Sequence, residues 1–193
     1  MRNDGIRNTL LRADEAIVTG GNGTTATATI PFPPLRTVGN FNGLVVEPLI
    51  RHAQISRRIG LLLVRLGGHS VGMAQDGQVL LSRTGRHQVH GRSAAGGWSQ
   101  KRFARRREGQ ARDALRSAAD DAYEVLVPRL SEMDVVVLGG DRNALDELVR
   151  DRRLAPLFAI ADPRILDIPE PRRTILDEAA ERAMAVEIVL QDG

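Results

Sequence analysis

Ten consecutive residues, Gly91-Arg92-Ser93-Ala94-Ala95-Gly96-Gly97-Trp98-Ser99-Gln100, lack any core periodicity and hold the types that suit positioned chemistry. Gly96 and Gly97 permit backbone conformations that other residues resist, and the small Ser93, Ala94 and Ala95 leave the segment thin enough to enter a narrow cleft. Gln100 closes it. An amide has no useful proton affinity at neutral pH, so Gln100 cannot be a general base; it can orient a water through one acceptor and two donors. Composition alone leaves two readings open, a surface loop with Gln100 at a helix start or a loop that positions water.

Directly after it stands Lys101-Arg102-Phe103-Ala104-Arg105-Arg106-Arg107. From Arg83 to Arg112 there are nine cations, Arg92 among them, against the single anion Glu108, so this segment carries +8. The whole chain is only +3, which leaves −5 for the remainder. One basic block on an acidic body is the footprint of a polyanion-binding protein. The block also crowds cations into the first turns of a helix whose N-terminus is already partly positive, which costs stability. Held anions would offset that cost, and nucleic-acid phosphate is the expected partner of Arg92, Lys101, Arg102, Arg105, Arg106 and Arg107. Phe103 is assigned to the core rather than to a base.

Other constellations are weaker. The chain has four histidines and no cysteine, which excludes disulfides, thiol nucleophiles and cysteine-bound metals. His87 and His90, three apart on an expected strand, should point to opposite faces, while His52 and His69 are isolated. No Gly-x-Ser-x-Gly elbow occurs. Gly139-Gly140-Asp141 reads as a glycine turn between strand and helix with Asp141 or Asn143 capping, because the Walker and dinucleotide patterns are both missing. Neither a metal nor a cofactor is expected. No stretch has the roughly 18–20 apolar residues of a membrane span and the start lacks a signal-peptide core, so no membrane partner and a cytoplasmic location are expected.

The elements that must position these residues follow from periodicity. A short helix is expected over 6–17, from Ile6, Leu10, Ala13 and Ile17, then a strand over 24–30. Runs at 58–66, 70–75 and 78–89, divided by Gly67-Gly68 and Asp76-Gly77, predict an antiparallel meander. A long helix should run from 101 to about 127, where Pro128 stops it. Next come a buried parallel strand at 134–138, a helix over 142–152, an extended piece within 159–168, a helix over 170–182 opening near Pro171, and a last strand over 185–190. The fold class is α/β (α+β): a mixed sheet flanked by helices, with the meander before the loop.

The segment Gly91 to Glu108, with Gly97-Trp98-Ser99-Gln100 as a Gly-x-x-Gln motif and the basic run after it, resembles the actinobacterial branch of the VLRF family of release-factor-like peptidyl-tRNA hydrolases. That family is related to the catalytic domain of eukaryotic and archaeal class I release factors. Asp134 to Leu138 with Gly139-Gly140 is similar to the strand and glycine turn after that domain's long helix. The likeness is specific over 71–151 and least typical over the first 40 residues, so an N-terminal extension of 1–40 and a catalytic domain of 41–193 are expected.

The resemblance implies a loop that enters the peptidyl-transferase centre, with Gln100 as catalytic glutamine, Gly97 shaping its loop, and Gly96 matching the usual double glycine. Trp98 and Ser99 between glycines and glutamine depart from classical release factors, so their loop geometry does not transfer. The implied partners are rRNA of the large ribosomal subunit and peptidyl-tRNA. The implied reaction is hydrolysis of the peptidyl-tRNA ester. Two rivals stand beside it: a nuclease cutting the tRNA 3′ end, and a non-catalytic RNA-binding module of ribosomal-protein type.

Overall fold

In the computed structural model the chain forms two compact units, residues 1–56 with 184–193, and residues 57–183. The structure describes residues 5–65, 67–86 and 98–193, the side chains of 86 and 98–108 excepted. The first elements are β1 (Ile6–Leu11), β2 (Glu15–Gly20), β3 (Thr25–Thr29), β4 (Gly39–Asn42) and α1 (Glu47–Ala53). There follow β5 (Arg58–Arg65), β6 (Gly68–Gln75), β7 (Gln78–Arg86) and the long helix α2 (Trp98–Val125). Last come β8 (Val135–Gly140), α3 (Arg142–Val149), α4 (Ala155–Ala159), β9 (Ala161–Leu166), α5 (Arg173–Met184) and β10 (Ile188–Gln191).

The first unit is an antiparallel sheet of order β10-β3-β2-β1-β4 over a core of Leu11, Ala16, Ala28, Ile30, Leu35 and Leu49. The helix expected over 6–17 is instead the β1–β2 hairpin, with Leu11 opposite Ala16 and the Arg12 N–H donating to the Glu15 carbonyl. Helical spacing of Ile6, Leu10 and Ile17 misled because the buried residues there, Thr9, Leu11 and Ala16, obey strand alternation. Pairing with β3 and β4 completes the ladder that a twelve-residue helix would forgo. The division expected at 40/41 falls within β4, whose residues pair with β1. The last strand, expected in the mixed sheet, pairs with β3.

The second unit is a mixed sheet of order β7-β6-β5-β8-β9. β5, β6 and β7 form the expected antiparallel meander, while β8 runs parallel to both β5 and β9. Asp76 and Gly77 turn between β6 and β7 with φ of 50° and 80°, the doubly positive φ of a type I′ hairpin. β5 and β6 are buried along nearly their whole length, which requires cover on both faces. Val71 and Met73 face α2 and α3, packing with Ala118, Ala119, Ala122, Leu145 and Leu148. Gly72, between them, faces the other way: a Cβ there would stand 2.8 Å from Leu176 Cδ2 of α5.

Helix α2 is 28 residues, about 42 Å, long. Its buried positions among the described residues begin at Ala114 and continue through Ala118, Ala119, Ala122 and Val125, small side chains that let the backbone lie close to the sheet. The helix ends at Val125, slightly before the expected 127, and the Arg129 guanidinium donates to the Val125 carbonyl at 2.8 Å. Pro128 lies in the 3-10 turn Val127–Glu132 that follows. The 142–152 helix is likewise shorter: α3 stops at Val149 and a separate 3-10 turn covers Arg152–Leu154.

Two glycines should respond oppositely to alanine. Gly140 has φ of +105°, and a Cβ there would fall 2.1 Å from the Val64 carbonyl oxygen. Gly140→Ala should cost at least about 1–3 kcal/mol. At Gly109, inside α2, a Cβ would meet nothing within 4 Å. Gly109→Ala should therefore stabilise by about 0.5–1 kcal/mol. Thermal unfolding checks both, at roughly 2–4 °C per kcal/mol for a chain of this size.

Candidate functional site

Gln100 and the basic run occupy the first three turns of α2, so what matters for the site is how this helix is held. Its C-terminal half is clamped on two flanks. On the β6–β7 side His69, 1% exposed, donates from Nε2 to Asp121 Oδ2 at 2.7 Å. Arg83 of β7 reaches the other oxygen of Asp121 at 3.0 Å and Glu124 at 2.5 Å. His69 pairs across the strands with Gly85, where a Cβ would strike the imidazole at 2.2 Å. The glycine is thus the space in which the ring sits. Below this pair Ser70 and Thr84 share a hydroxyl hydrogen bond of 2.7 Å.

The opposite flank is held by Arg153, from the turn after α3. Its guanidinium donates to Asp120 at 2.8 Å and to Asp151 at 2.7 Å, and lies 5.5 Å from the centroid of the Tyr123 ring. Asp120, Asp121, Tyr123 and Glu124 therefore all have partners on elements outside α2. Partial burial pushes the Asp121 carboxyl up, but hydrogen bonds and charges of His69 and Arg83 outweigh it and hold the group below its usual 3.8. Hydrogen bonds to Glu124 and Asp121 raise the pKa of Arg83.

Charge along α2 runs against its dipole. Cations fill the N-terminal turns and carboxylates the C-terminal ones, each at the end where the helix partial charge has the same sign. At the C-terminal end the mismatch is relieved by His69, Arg83 and Arg153. Gln100 stands eighteen residues, about five turns, before the buried Ala118, on the same line of the helix.

Of the residues singled out by sequence, Gln100, Lys101, Arg102, Arg105, Arg106 and Arg107 are thus brought onto one helix, their side chains outside the described set. Arg92, Gly96, Gly97, His87 and His90 lie outside the described residues. Phe103, assigned to the core from sequence, is on α2 with its side chain likewise outside. His52 is structural: Nε2 donates to the Pro31 carbonyl at 2.9 Å. Asp141 is the N-cap of α3, accepting from the Asn143 N–H at 2.9 Å, as expected of that turn. The His69–Asp121–Arg83 network was missed. The three are separated by 14 to 52 positions, so no local pattern marks them in the sequence. Among the described residues no group of three or more His, Asp or Glu side chains is arranged to hold a metal, and no helix is long and apolar enough to cross a membrane.

A mixed sheet covered on both faces, with a long helix that opens with Trp98-Ser99-Gln100, is an arrangement shared with release-factor domains. The archaeal translation termination factor aRF1 is similar in structure, with a TM-score of 0.51, 19% identity, and 86% of this chain matched to 48% of that one. In sequence, peptide chain release factor subunit 1 of Thermococcus sibiricus is 26% identical over 112 residues, 57% of this chain and 27% of the relative. The chain thus spans less than half the length of these relatives. Residues 57–189 match the family described as the Actinobacteria/chloroflexi VLRF1 release factor, and the chain belongs to that family.

The clamp yields a pH prediction. Because the folded pKa of Asp121 lies below its unfolded value, its stabilising contribution is complete above about pH 3.8 and is lost as pH falls through the lower folded value. Asp121→Asn removes that contribution at neutral pH. The variant should have a lower Tm at pH 7 and a shallower decline below pH 4, read from melts at stepped pH.

Proposed function

We propose that this chain is a ribosome-associated peptidyl-tRNA hydrolase that releases nascent chains from stalled large-subunit complexes in the cytoplasm. The observation that carries the reading is membership of a release-factor family across 57–189, together with the sequence motif Gly97-Trp98-Ser99-Gln100, whose Gln100 lies in the first turn of an anchored helix. The catalytic work belongs to the region after residue 40, within it to the unit 57–183, and residues 1–40 are an accessory extension. Gly96 and Gly97 shape the loop and Gln100 is the catalytic residue.

The reaction is attack by water on the acyl carbon of the peptidyl-tRNA ester. The water oxygen bonds to that carbon, the bond to the ribose oxygen breaks, and the departing oxygen takes up a proton. Gln100 orients the water through its amide and cannot remove the proton, so the acceptor is a ribose hydroxyl of the RNA beside the ester. Loop N–H groups stabilise the developing oxyanion. No resident cofactor takes part in this scheme. Arg92, Lys101, Arg102, Arg105, Arg106 and Arg107 contact phosphates of rRNA and tRNA, giving affinity without reading bases. The anions offset the cationic crowding that the helix dipole opposes at this end of α2.

Gln100→Ala should leave ribosome binding intact and slow single-turnover peptide release by a factor of about 10² to 10⁴. Gln100→Glu should also be impaired, since a carboxylate cannot donate. Wild-type rates in both variants would remove the hydrolase reading, and peptide still esterified to a short RNA would establish the nuclease rival. Replacing Arg105, Arg106 and Arg107 by Gln should flatten the salt dependence of large-subunit binding by about 0.7–0.9 in log–log slope per lost contact.

A further inference from the structure

We propose that the outer face of the packed half of α2, with the turn after α3, is a second RNA contact that follows the backbone of a base-paired stem, through Arg112, Arg116 and Arg152. The proposal rests on the RNA-binding reading above but not on its hydrolase chemistry. All three arginines are exposed, and none forms an ion pair with another described residue. Their neighbours behave differently. Arg83, Arg150 and Arg153 are each bound to one or two carboxylates within 3.0 Å.

The contrast at Asp120 is informative. Asp120 lies four residues after Arg116, the spacing at which a helix makes an ion pair, yet it is engaged by Arg153 from outside the helix. Arg153 also holds Asp151, the residue before Arg152. One guanidinium thus occupies both carboxylates that would otherwise neutralise Arg116 and Arg152. Arg112 and Arg116 are themselves four apart, a like-charge spacing that weakens a helix by a few tenths of a kcal/mol. The only other carboxylate close in sequence with a described side chain is Asp113, so Arg112, Asp113, Arg116 and Arg152 together remain net positive.

The geometry favours a duplex. From Lys101 to Arg116 the helix rises about 22 Å, enough to follow several phosphates of one strand. Proteins that grip single strands offer aromatic faces for stacking. Among the described side chains of α2 the aromatic residue is Tyr123, 43% exposed, and Arg153 lies over one face of its ring. The described phenylalanines Phe32, Phe41 and Phe158 are packed into cores. Three exposed guanidinium groups beside one partly covered ring suit phosphate in a regular stem better than stacked bases.

The test uses the full chain, a short RNA hairpin and an unpaired RNA of equal length, with binding followed by fluorescence anisotropy from 50 to 200 mM salt. Wild-type protein should prefer the hairpin. Arg112→Gln/Arg116→Gln/Arg152→Gln should weaken hairpin binding about tenfold or more and lower the log–log salt slope by about two. The Lys versions at the same positions should keep the wild-type slope. A charge-matched control, Arg36→Gln/Arg51→Gln/Arg172→Gln, should stay near wild type. An unchanged slope in the first variant, an equal loss in the control, or an equal loss on the unpaired RNA would each overturn the proposal. Gln100→Ala should bind the hairpin as wild type does, so failure of peptide release and failure of this contact are read separately.

Discussion

The structure of the second unit depends on the way α2 is held at one end. Asp121 is the centre of that hold, receiving His69 from β6 and Arg83 from β7, while Arg153 takes Asp120 and covers Tyr123 on the other flank. A helix this long would gain little from propensity alone, and most of its stability must come from burying one face. Buried alanines supply the close approach, and the paired carboxylates fix rotation and sliding, which small apolar side chains leave weakly determined. Both oxygens of the half-buried Asp121 carboxylate are engaged, one by His69 and one by Arg83.

The same hold explains an otherwise unfavourable charge order. Three carboxylates near the C-terminus and a run of cations at the N-terminus oppose the helix dipole at both ends. The protein compensates the C-terminal mismatch internally, through β6, β7 and the turn after α3. The N-terminal mismatch carries like charges too closely spaced for a single anion such as Glu108 to neutralise. Phosphate supplied from outside is the partner proposed for such a surface, while the acidic half of the helix stays engaged with the fold.

The two sheets differ in what they ask of their residues. β5 and β6, covered on both faces, are apolar without alternation, and a parallel neighbour such as β8 is possible only because helices close the sheet above and below. In the first unit the strands alternate more loosely and β10, at the edge, exposes Ile188, Val189 and Leu190. Its place beside β3 is set by register with Thr25, Thr27 and neighbours, a pairing of residues more than 160 positions apart.

Sequence by itself determined much of the second unit and marked the loop as a candidate site. Asp76-Gly77 specifies its hairpin because few other pairs accept two positive φ angles, the apolar runs define β5 to β8, and alanine periodicity sets the packed face of α2. These signals are local, written within one or two turns of chain. The Gly-x-x-Gln motif and its basic run are local in the same sense. Tertiary structure decided the rest: that 6–17 is a hairpin, that β10 joins β3, that His69 and Asp121 meet, and that Arg153 draws Asp120 away from Arg116. Each of these depends on partners distant in sequence, and hydrophobic spacing in a short segment fits helix and strand equally until such a partner satisfies its backbone hydrogen bonds.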